Sequence, residues 1–412
     1  MATADSGVRV QGWKMWLPSS LMTSCSLLSY IDRQTLAVLS PTIIAQTDLT
    51  DASYGDAVSA FSIAYMIGNP LWGALLDHIG LRIGMVLAVA LWTAASASHA
   101  LVFGFLGFAI ARGVLGFGEG AAFPGAMRTA IVSLPPEKQG RGIGLGYSGA
   151  SLGALLTPIF VIPFARLYGW QMAFLVTGFL GLVWLALWWT VSRPPLIPEH
   201  RRPSSRLRIP NLLERRCWVV VSSFGFGGVA LALVAYVIPR YLEKALGVTQ
   251  AQLGNILWIP MVGWEAGYFF WGWVADRWVP PGTGQRPTWV FLLLSVLALP
   301  TALVTFTDSL PVVLALFLWA TFVADGFVVM SLRVGADIYP RDQVAMAGGI
   351  GSAAWSAVAA IVVPIYMRFI AAGSYTEIFV SVSLLPLVGT LLWLWISKPE
   401  RLWRAPAITG GA

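Results

Sequence analysis

Ionisable residues interrupt two of the long apolar segments of this sequence. Asp32 and Arg33 lie in the first segment, and Arg112 and Glu119 lie in the fourth. An ionisable side chain at the centre of a bilayer costs on the order of 3 kcal/mol on insertion scales. Charged residues that remain at such depth are therefore candidates for ligand binding or proton transfer.

The two kinds of charge offer different chemistry. An arginine presents a planar fork that matches a carboxylate in bidentate geometry, whereas a carboxyl group can take up and release a proton. Arg112 and Glu119 are seven residues apart, which is roughly 10 Å along one helix face, so we expect both to face one cavity. Adjacent helical residues point in different directions, so Asp32 and Arg33 need different partners. Structural ion pairs between the two segments are the alternative.

Three further charges lie in later apolar segments. Glu265 falls in the eighth, and Asp325 and Arg333 fall in the tenth. We treat them as possible additional charge sites. Arg333 precedes Asp337 by one helical turn, so a local ion pair would explain it equally well.

The composition requires these residues to be positioned by helices in a membrane. Of 412 residues, 57% are hydrophobic and 11% are charged, and the mean hydropathy is +0.73. A bilayer needs about 20 apolar residues per helix. We therefore predict an all-α membrane protein with twelve transmembrane helices. The predicted spans are 14–44, 52–77, 83–104, 105–132, 140–166, 170–192, 215–243, 250–276, 287–307, 309–336, 343–371 and 374–397.

The basic residues predict the orientation in the membrane. Most of the 26 Lys and Arg residues fall in the N-terminus, the loops after even-numbered spans and the C-terminus. By the positive-inside rule, both termini are expected in the cytoplasm, and the protein is expected in the inner (plasma) membrane. Because the net charge of +7 is distributed in this way, it does not indicate nucleic-acid binding.

The chain divides into two similar halves. We predict a six-helix bundle at 1–192, a cytoplasmic linker at 193–214 and a second six-helix bundle at 215–412. Gly68-x-x-x-Trp72-Gly73-x-x-x-Asp77 in span 2 recurs as Gly267-x-x-x-Trp271-Gly272-x-x-x-Asp276 in span 8. Parallel repeats of this kind are a known transporter architecture, with the binding site between them. The glycines also suit close helix packing.

The loop after span 2 resembles a superfamily signature. Gly73-Ala-Leu-Leu-Asp77-His78-Ile-Gly80-Leu-Arg82 is similar to the glycine-x-x-x-aspartate-x-x-glycine-x-arginine motif of the major facilitators. In that superfamily the aspartate and arginine form a cytoplasmic charge clamp. The resemblance implies that Asp77 and Arg82, and by repetition Asp276 and Arg277, are gating residues.

A closer resemblance covers nearly the whole chain. Tyr30-Ile-Asp32-Arg33, Arg112-(x)6-Glu119-Gly120, Ser148-Gly149-Ala150-Ser151 and Tyr168-Gly169-Trp170 resemble the anion:cation symporter family, which includes hexuronate and D-galactonate symporters. This family implies a monomer of two pseudo-symmetric bundles that imports a small organic anion, above all a sugar acid, with protons and no other cofactor. The roles it implies are proton coupling by Asp32 and Glu119, carboxylate binding by Arg33 and Arg112, and hydrogen bonding to substrate by Tyr30, Tyr65, Ser148 and Ser151.

Other substrates and functions stay open. Ala150 stands where galactonate-type relatives have an amide, and the charges of span 10 are unusual for them, so a dicarboxylate or an aromatic acid is an alternative. Export of a lipid or lysolipid is another, and a proton-driven multidrug exporter a third, although Arg33 and Arg112 argue against the last. Neither a catalytic site nor a metal site is expected, because the residues that would form one do not assemble. These are His78, His99, His200, Cys25 and Cys217.

Overall fold

The computed structural model describes residues 12–47, 49, 51–197, 209, 211–279 and 286–398. Within these ranges all regular secondary structure is helical. The α-helices are α1 (Leu17–Gln46), α2 (Asp51–Ile79), α3 (Leu81–Ser98), α4 (Phe105–Glu119), α5 (Ala122–Ser133), α6 (Gln139–Tyr168), α7 (Trp170–Val191), α8 (Arg215–Val220), α9 (Val229–Tyr236), α10 (Ile238–Leu246), α11 (Gln250–Ile256), α12 (Trp258–Trp278), α13 (Thr288–Ala298), α14 (Leu310–Ile338), α15 (Val344–Ala372) and α16 (Thr376–Ile396).

Each predicted span corresponds to one helix or to a run of consecutive helices. Span 4 is α4 followed by α5, span 7 is α8 to α10, and span 8 is α11 followed by α12. The break inside span 4 lies at Gly120 and Ala121, just before Pro124, which has no N–H to donate and belongs in a first helical turn. Residues 1–11, 198–208 and 399–412, which include part of the predicted linker and His200, lie outside the described ranges.

Length and hydropathy identify seven of these spans in the described chain, or nine when two bent helix pairs are counted as spans. The remaining three are α1, α2 and the run ending in α12. Each of these carries charged residues, including Asp32, Asp77 and Glu265. Two of the helices that lower the apparent number of spans, α1 and α2, thus contribute residues to the candidate site, whereas Arg112 and Glu119 lie in a span that is identified.

The internal repeat is visible in three dimensions. In the N-terminal half the rings of Trp72 and Phe117 have centroids 5.8 Å apart at an interplanar angle of 47°. In the C-terminal half Trp271 and Phe322 have the same separation and the same angle. The two halves therefore pack the second and fourth spans of their bundles in the same way.

The halves contact each other along α2 with α15 and along α6 with α12. Glycines permit this approach: a Cβ atom on Gly73 would lie 2.6 Å from the carbonyl oxygen of Ala345, and one on Gly272 would lie 2.9 Å from that of Gly140. Small residues at helix interfaces allow backbones to come this close. The repeated glycine motif thus lies at the boundary between the halves.

Candidate substrate and proton site

A cavity lies between the two halves; the space inside it, including the part open to solvent, is about 340 Å³. Eight of its eleven lining residues are aromatic, and four of those eight are tyrosines. The lining residues are Tyr30, Tyr65, Phe123, Tyr147, Phe224, Leu231, Trp264, Tyr268, Val328, Ser352 and Trp355. Aromatic faces with a few hydroxyl groups suit a ligand that has an apolar body and polar substituents.

Glu119 joins α4 to α1 beside this cavity. Its side chain is fully buried, and its Oε2 atom accepts hydrogen bonds from Ser29 Oγ at 2.9 Å and from Arg33 Nη2 at 3.1 Å. The Oε1 atom has no hydrogen-bond partner among the described residues. One oxygen of the carboxylate is therefore paired with a cation, and the other has no hydrogen bond to compensate its burial.

Arg33 lies among three aromatic rings. Its guanidinium carbon is 4.4 Å from the ring centroid of Tyr65, 4.6 Å from that of Tyr30 and 4.9 Å from that of Phe61. Cations within about 6 Å of a ring centroid are attracted by the ring quadrupole. Since Tyr30 and Tyr65 both line the cavity, these rings hold Arg33 at its edge.

Asp32 and Arg112 form the second part of the cluster. Asp32 Oδ1 accepts a hydrogen bond from Ser96 Oγ at 2.7 Å, so it points to α3 while Arg33 points to α4. Arg112 is buried, and its Nε and Nη2 atoms have no hydrogen-bond partner among the described residues. Both Asp32 and Glu119 lie near enough to attract it electrostatically. A buried guanidinium with free donors is suited to receive an anion.

The remaining predicted ligands separate into two pairs. Tyr30 and Tyr65 line the cavity. Ser148 donates within α6 to the Leu145 carbonyl oxygen at 2.9 Å, and Ser151 donates to Glu265 of α12. Neither serine is part of the described cavity lining. The structure therefore brings the tyrosines to the cavity and places the serines at the α6–α12 boundary.

Sequence reasoning missed two tyrosines of the cavity, Tyr147 on α6 and Tyr268 on α12. Tyr147 directly precedes the Ser148-Gly149-Ala150-Ser151 segment, and Tyr268 follows Gly267 of the repeated motif. A polar aromatic residue inside an interface segment was the available signal. Their ring centroids are 6.1 Å apart, so the two halves meet at the cavity through these rings.

Asp77 binds the other half of the molecule. Its carboxylate pairs with the Arg128 guanidinium and accepts hydrogen bonds from the backbone N–H groups of Ala345 at 3.2 Å and Met346 at 2.9 Å. These N–H groups belong to the first turn of α15, where backbone donors lack intrahelical partners and the helix dipole favours an anion. Asp77 thus links the end of α2 to the start of α15.

Asp276 makes the reciprocal contact. Its Oδ1 atom accepts from the Gly140 N–H at 2.6 Å, and its Oδ2 atom accepts from the Arg141 N–H at 3.1 Å and from Arg141 Nε at 2.8 Å. These groups begin α6. We call the region formed by Asp77, Asp276 and the first turns of α6 and α15 the closed end, because acids from both halves bridge it.

The resemblance led us to expect Arg82 and Arg277 in these bridges, but neither residue takes part in them. The resemblance implied a pair between Asp77 and Arg82, but the partner of Asp77 is Arg128. Arg82 instead stacks on the Trp189 ring at 4.0 Å and donates to the Trp189 carbonyl oxygen at 3.3 Å, because α3 packs against α7 at this point. Arg277 is exposed.

The three additional charges have different surroundings. Glu265 accepts the hydrogen bond of Ser151 from the opposite half. Asp325 is fully buried, and neither of its oxygens has a hydrogen-bond partner among the described residues. Arg333 donates to Asp337 and Gln139 at 3.3 and 3.2 Å. The local Arg333–Asp337 pair is therefore present, and Arg333 also ties α14 to the N-terminal half.

Comparison with known proteins gives consistent matches. The family model of the Major Facilitator Superfamily matches residues 22–334 and 229–411. The hexuronate transporter of Escherichia coli K12 is 25% identical over 366 residues, 83% of this chain and 84% of its own length. The D-galactonate transporter of Escherichia coli O6:H1 is 24% identical over 418 residues, 93% and 95% respectively. The galacturonate transporter of Dickeya chrysanthemi is 28% identical, covering 63% and 81%.

Solved structures share the fold. The human organic anion transporter MFSD10 superposes with a TM-score of 0.69 at 17% sequence identity, covering 93% of this chain and all of its own. The major facilitator transporter FucP, solved in the outward conformation, superposes with a TM-score of 0.67 at 19% identity, covering 94% of this chain and all of its own. At these identities the likeness establishes the architecture of two six-helix bundles.

Proposed function

Since the chain belongs to the Major Facilitator Superfamily, and is a multi-pass membrane transporter and not an enzyme, we propose that it imports a small organic anion together with protons by alternating access. The observation that carries the proposal is the cluster of two buried acids and two arginines, of which Arg33 lies against the cavity-lining rings of Tyr30 and Tyr65. Glu119 forms an ion pair with Arg33, whereas the Nε and Nη2 atoms of Arg112 have no hydrogen-bond partner in the described chain.

This cluster couples proton and anion through shared arginines. Protonation of Glu119 removes the charge that holds Arg33, so Arg33 and Arg112 together can receive the carboxylate of the substrate. Loss of the proton restores the Arg33–Glu119 pair and expels the anion. By reciprocity of linkage, the bound anion must raise the proton affinity of the site by the same factor. Protons are the only coupling ion in this scheme, and the functional unit is a monomer.

A sugar acid is the substrate class that we propose. The relatives are named for hexuronate, galacturonate and D-galactonate. The cavity offers hydroxyl groups from four tyrosines and Ser352, which can exchange hydrogen bonds with the hydroxyls of a sugar. Arg33, at the edge of the cavity, and Arg112 of the same cluster would hold its carboxylate in bidentate geometry.

An aromatic acid is the second candidate, because eight of the eleven cavity-lining residues are aromatic. Trp264 and Trp355 present indole rings, and Phe123 and Phe224 add apolar faces. Offset or edge-to-face contacts with such rings contribute about 0.5–1.5 kcal/mol each beyond area burial. An aromatic carboxylate would use the same arginines and replace sugar hydrogen bonds by ring contacts.

We further propose that the closed end faces the cytoplasm of a cell whose inner membrane contains the protein. Trp16 lies at this end, 5.9 Å from the Arg141 guanidinium, and Ser397 accepts a hydrogen bond from Arg286, which precedes α13. Basic residues near the chain ends and at the starts of α6 and α13 agree with this orientation. In this state the substrate would reach the cavity from the opposite side.

Uptake into proteoliposomes tests the proposal. Radiolabelled glucuronate, galacturonate, galactonate and 4-hydroxybenzoate are offered with an inward proton gradient, to the wild type and to Arg33→Ala, Arg112→Ala and Glu119→Gln. We expect accumulation by the wild type and its loss in all three variants. Arg240→Ala, which removes an exposed arginine paired with Glu243, is the control and should transport normally. Full proton-driven accumulation by Glu119→Gln would contradict the coupling scheme.

A further inference from the structure

Asp325 is a buried acid that the proposed anion site does not use. It lies in α14 with no exposed surface, and both carboxylate oxygens lack hydrogen-bond partners in the described chain. The carboxylate faces α12, since a Cβ atom on Gly267 would lie 2.7 Å from Asp325 Oδ2. An isolated charged carboxylate is unfavourable in such surroundings, whereas its protonated form is tolerated.

A second acid lies beside it. Glu265 of α12 is near enough to Asp325 to repel its negative charge, and accepts a hydrogen bond from Ser151 of α6, with Ser148 also close. The other ionisable group facing Asp325 is Tyr268.

In the described chain neither acid forms an ion pair with an arginine or lysine, and Arg333 of the same helix as Asp325 binds Asp337 and Gln139 instead. Asp325 is fully buried and Glu265 is half-buried. Two nearby carboxylates without a cation disfavour each other's charged form, so such a pair is suited to bind a proton.

The internal repeat shows that the pair is specific to the C-terminal half. In each half, a glycine of the second span lies against the carbonyl oxygen of a phenylalanine in the fourth span: Gly68 against Phe117, and Gly267 against Phe322. The N-terminal half has Glu119 two residues after its phenylalanine, and the C-terminal half has Asp325 three residues after its own. One residue along a helix turns a side chain by about 100°, so the N-terminal counterpart of Asp325 is Gly120, which lies against Gly68 as Asp325 lies against Gly267. Asp325 is therefore an acid without an equivalent in the N-terminal half, and it has no arginine partner in the described chain, whereas Glu119 has one.

We propose that Asp325 and Glu265 form a second proton-binding site, located in the C-terminal half and separate from the Glu119 cluster. The hydrogen bond from Ser151 to Glu265 crosses the boundary between α6 and α12. A movement that separates these helices removes this donor and admits water to Glu265. Proton exchange at the pair is therefore linked to the relative position of the two halves. Only its contribution to transport rests on the proposed function.

Infrared difference spectroscopy tests proton binding without any substrate. The purified protein in lipid nanodiscs is exchanged between acidic and alkaline buffer, and the carbonyl stretch of protonated carboxyl groups is recorded. A background with Asp32→Asn and Glu119→Gln removes both buried acids of the N-terminal cluster. We expect a difference band that is lost in Asp325→Asn and reduced in Glu265→Gln. Glu377→Gln, which removes an exposed acid at the start of α16, should leave it unchanged.

The infrared result decides whether Asp325 and Glu265 bind a proton. A band that persists in both variants, or one that does not change between the two buffers, overturns the proposal. A band displaced by added sodium at constant pH assigns the pair to sodium and also overturns it. Thermal unfolding of the variants in detergent identifies any that fail to fold; in that case Asp325→Glu, which keeps a carboxyl group, must retain the band.

Transport tests the role of the pair and separates it from the anion site. With a substrate found by uptake, Asp325→Asn should lower the accumulation ratio reached with a fixed proton gradient, while exchange of labelled for unlabelled substrate continues. If substrate exchange were lost as well, Asp325 would belong to the anion site, and the proposal of a separate proton-binding site would be overturned. An unchanged accumulation ratio would overturn its part in coupling. Failure of every substrate leaves the infrared result standing.

Discussion

At the scale of single residues, the four charged residues of the cluster differ in the partners that they bind. Glu119 forms an ion pair with Arg33, and Ser96 donates a hydrogen bond to Asp32. Arg112 keeps two buried donor atoms without a partner in the described chain. Buried unpaired donors are rare because each costs about 1–3 kcal/mol or more for a charged group. These free donors are the basis of the proposal that Arg112 binds the carboxylate of the substrate.

We predict that Arg112→Lys weakens substrate binding although it keeps the charge. A lysine ammonium cannot present the planar fork of arginine, and a hydrogen bond to a charged group contributes about 1.5–3 kcal/mol, so the Kd should rise on the order of tenfold or more. Isothermal titration with the transported anion measures this change. Arg166→Lys, at an exposed position of α6, is the control, and equal affinity in both variants would contradict the prediction.

Glycine positions at the half boundary give a test of packing. Gly73→Ala would place a Cβ atom 2.6 Å from the Ala345 carbonyl oxygen, whereas Gly113 has no atom within 4 Å of its added Cβ position. Overpacking costs about 1–3 kcal/mol, so Gly73→Ala should lower the thermal unfolding midpoint and Gly113→Ala should not. Differential scanning fluorimetry compares them; equal midpoints would show that the boundary adjusts to the added methyl group.

At the scale of elements, the helix starts at the closed end depend on acids from the opposite half. Asp77 accepts from two N–H groups of α15, and Asp276 accepts from two of α6. Such contacts at helix N-termini contribute about 0.3–2 kcal/mol. Each acid therefore stabilises one turn of a helix that belongs to the other bundle.

We predict that hydrogen–deuterium exchange distinguishes the effects of the two acids on the two helix starts. Asp77→Asn should speed exchange in peptides containing Ala345 and Met346, and leave those containing Gly140 and Arg141 unchanged. Asp276→Asn should have the opposite effect. Each variant is the control for the other, because the fold and the chemical change are the same. Faster exchange at both helix starts in either variant would mean that the two contacts open together.

The sequence predicted the spans well and the cluster in part. The glycine, tryptophan and aspartate repeat and the Arg112–Glu119 spacing are local patterns, so they could be read without coordinates. The pairing of Asp77 with Arg128 could not, because the two residues are 51 positions apart and meet only through packing of α2 on α5. The breaks in span 7 were also missed, since its apolar residues continue across the π-helical turn Val221–Gly225.

At the scale of the whole molecule, the proposed alternating access requires the closed end to open. Met127 of α5 and Gly348 of α15 lie on opposite sides of the boundary, and a Cβ atom on Gly348 would be 3.3 Å from Met127 Cβ. Disulfides need Cβ atoms about 3.5–4.5 Å apart, so a small adjustment allows one here. This pair can therefore serve as a reversible bridge between the halves.

We predict that Met127→Cys with Gly348→Cys, in a Cys25→Ser and Cys217→Ser background, blocks uptake when oxidised and regains it on reduction. The matched control is Gly335→Cys with Ala347→Cys, where the Cβ separation is 3.5 Å but both residues belong to the C-terminal half. Mass spectrometry verifies each disulfide. Uptake that continues through an oxidised bridge between the halves would rule out opening of this end during transport.

The bridges at the closed end also determine how the transporter responds to salt. Asp77 and Asp276 are shielded from solvent, with side-chain exposures of 6% and 5%, and their partners include backbone N–H groups in direct contact. Screening at physiological ionic strength acts over a Debye length of about 8 Å and weakens exposed charges far more than buried ones. The equilibrium between the conformation with this end closed and the conformation with this end open should therefore stay nearly constant as ionic strength changes.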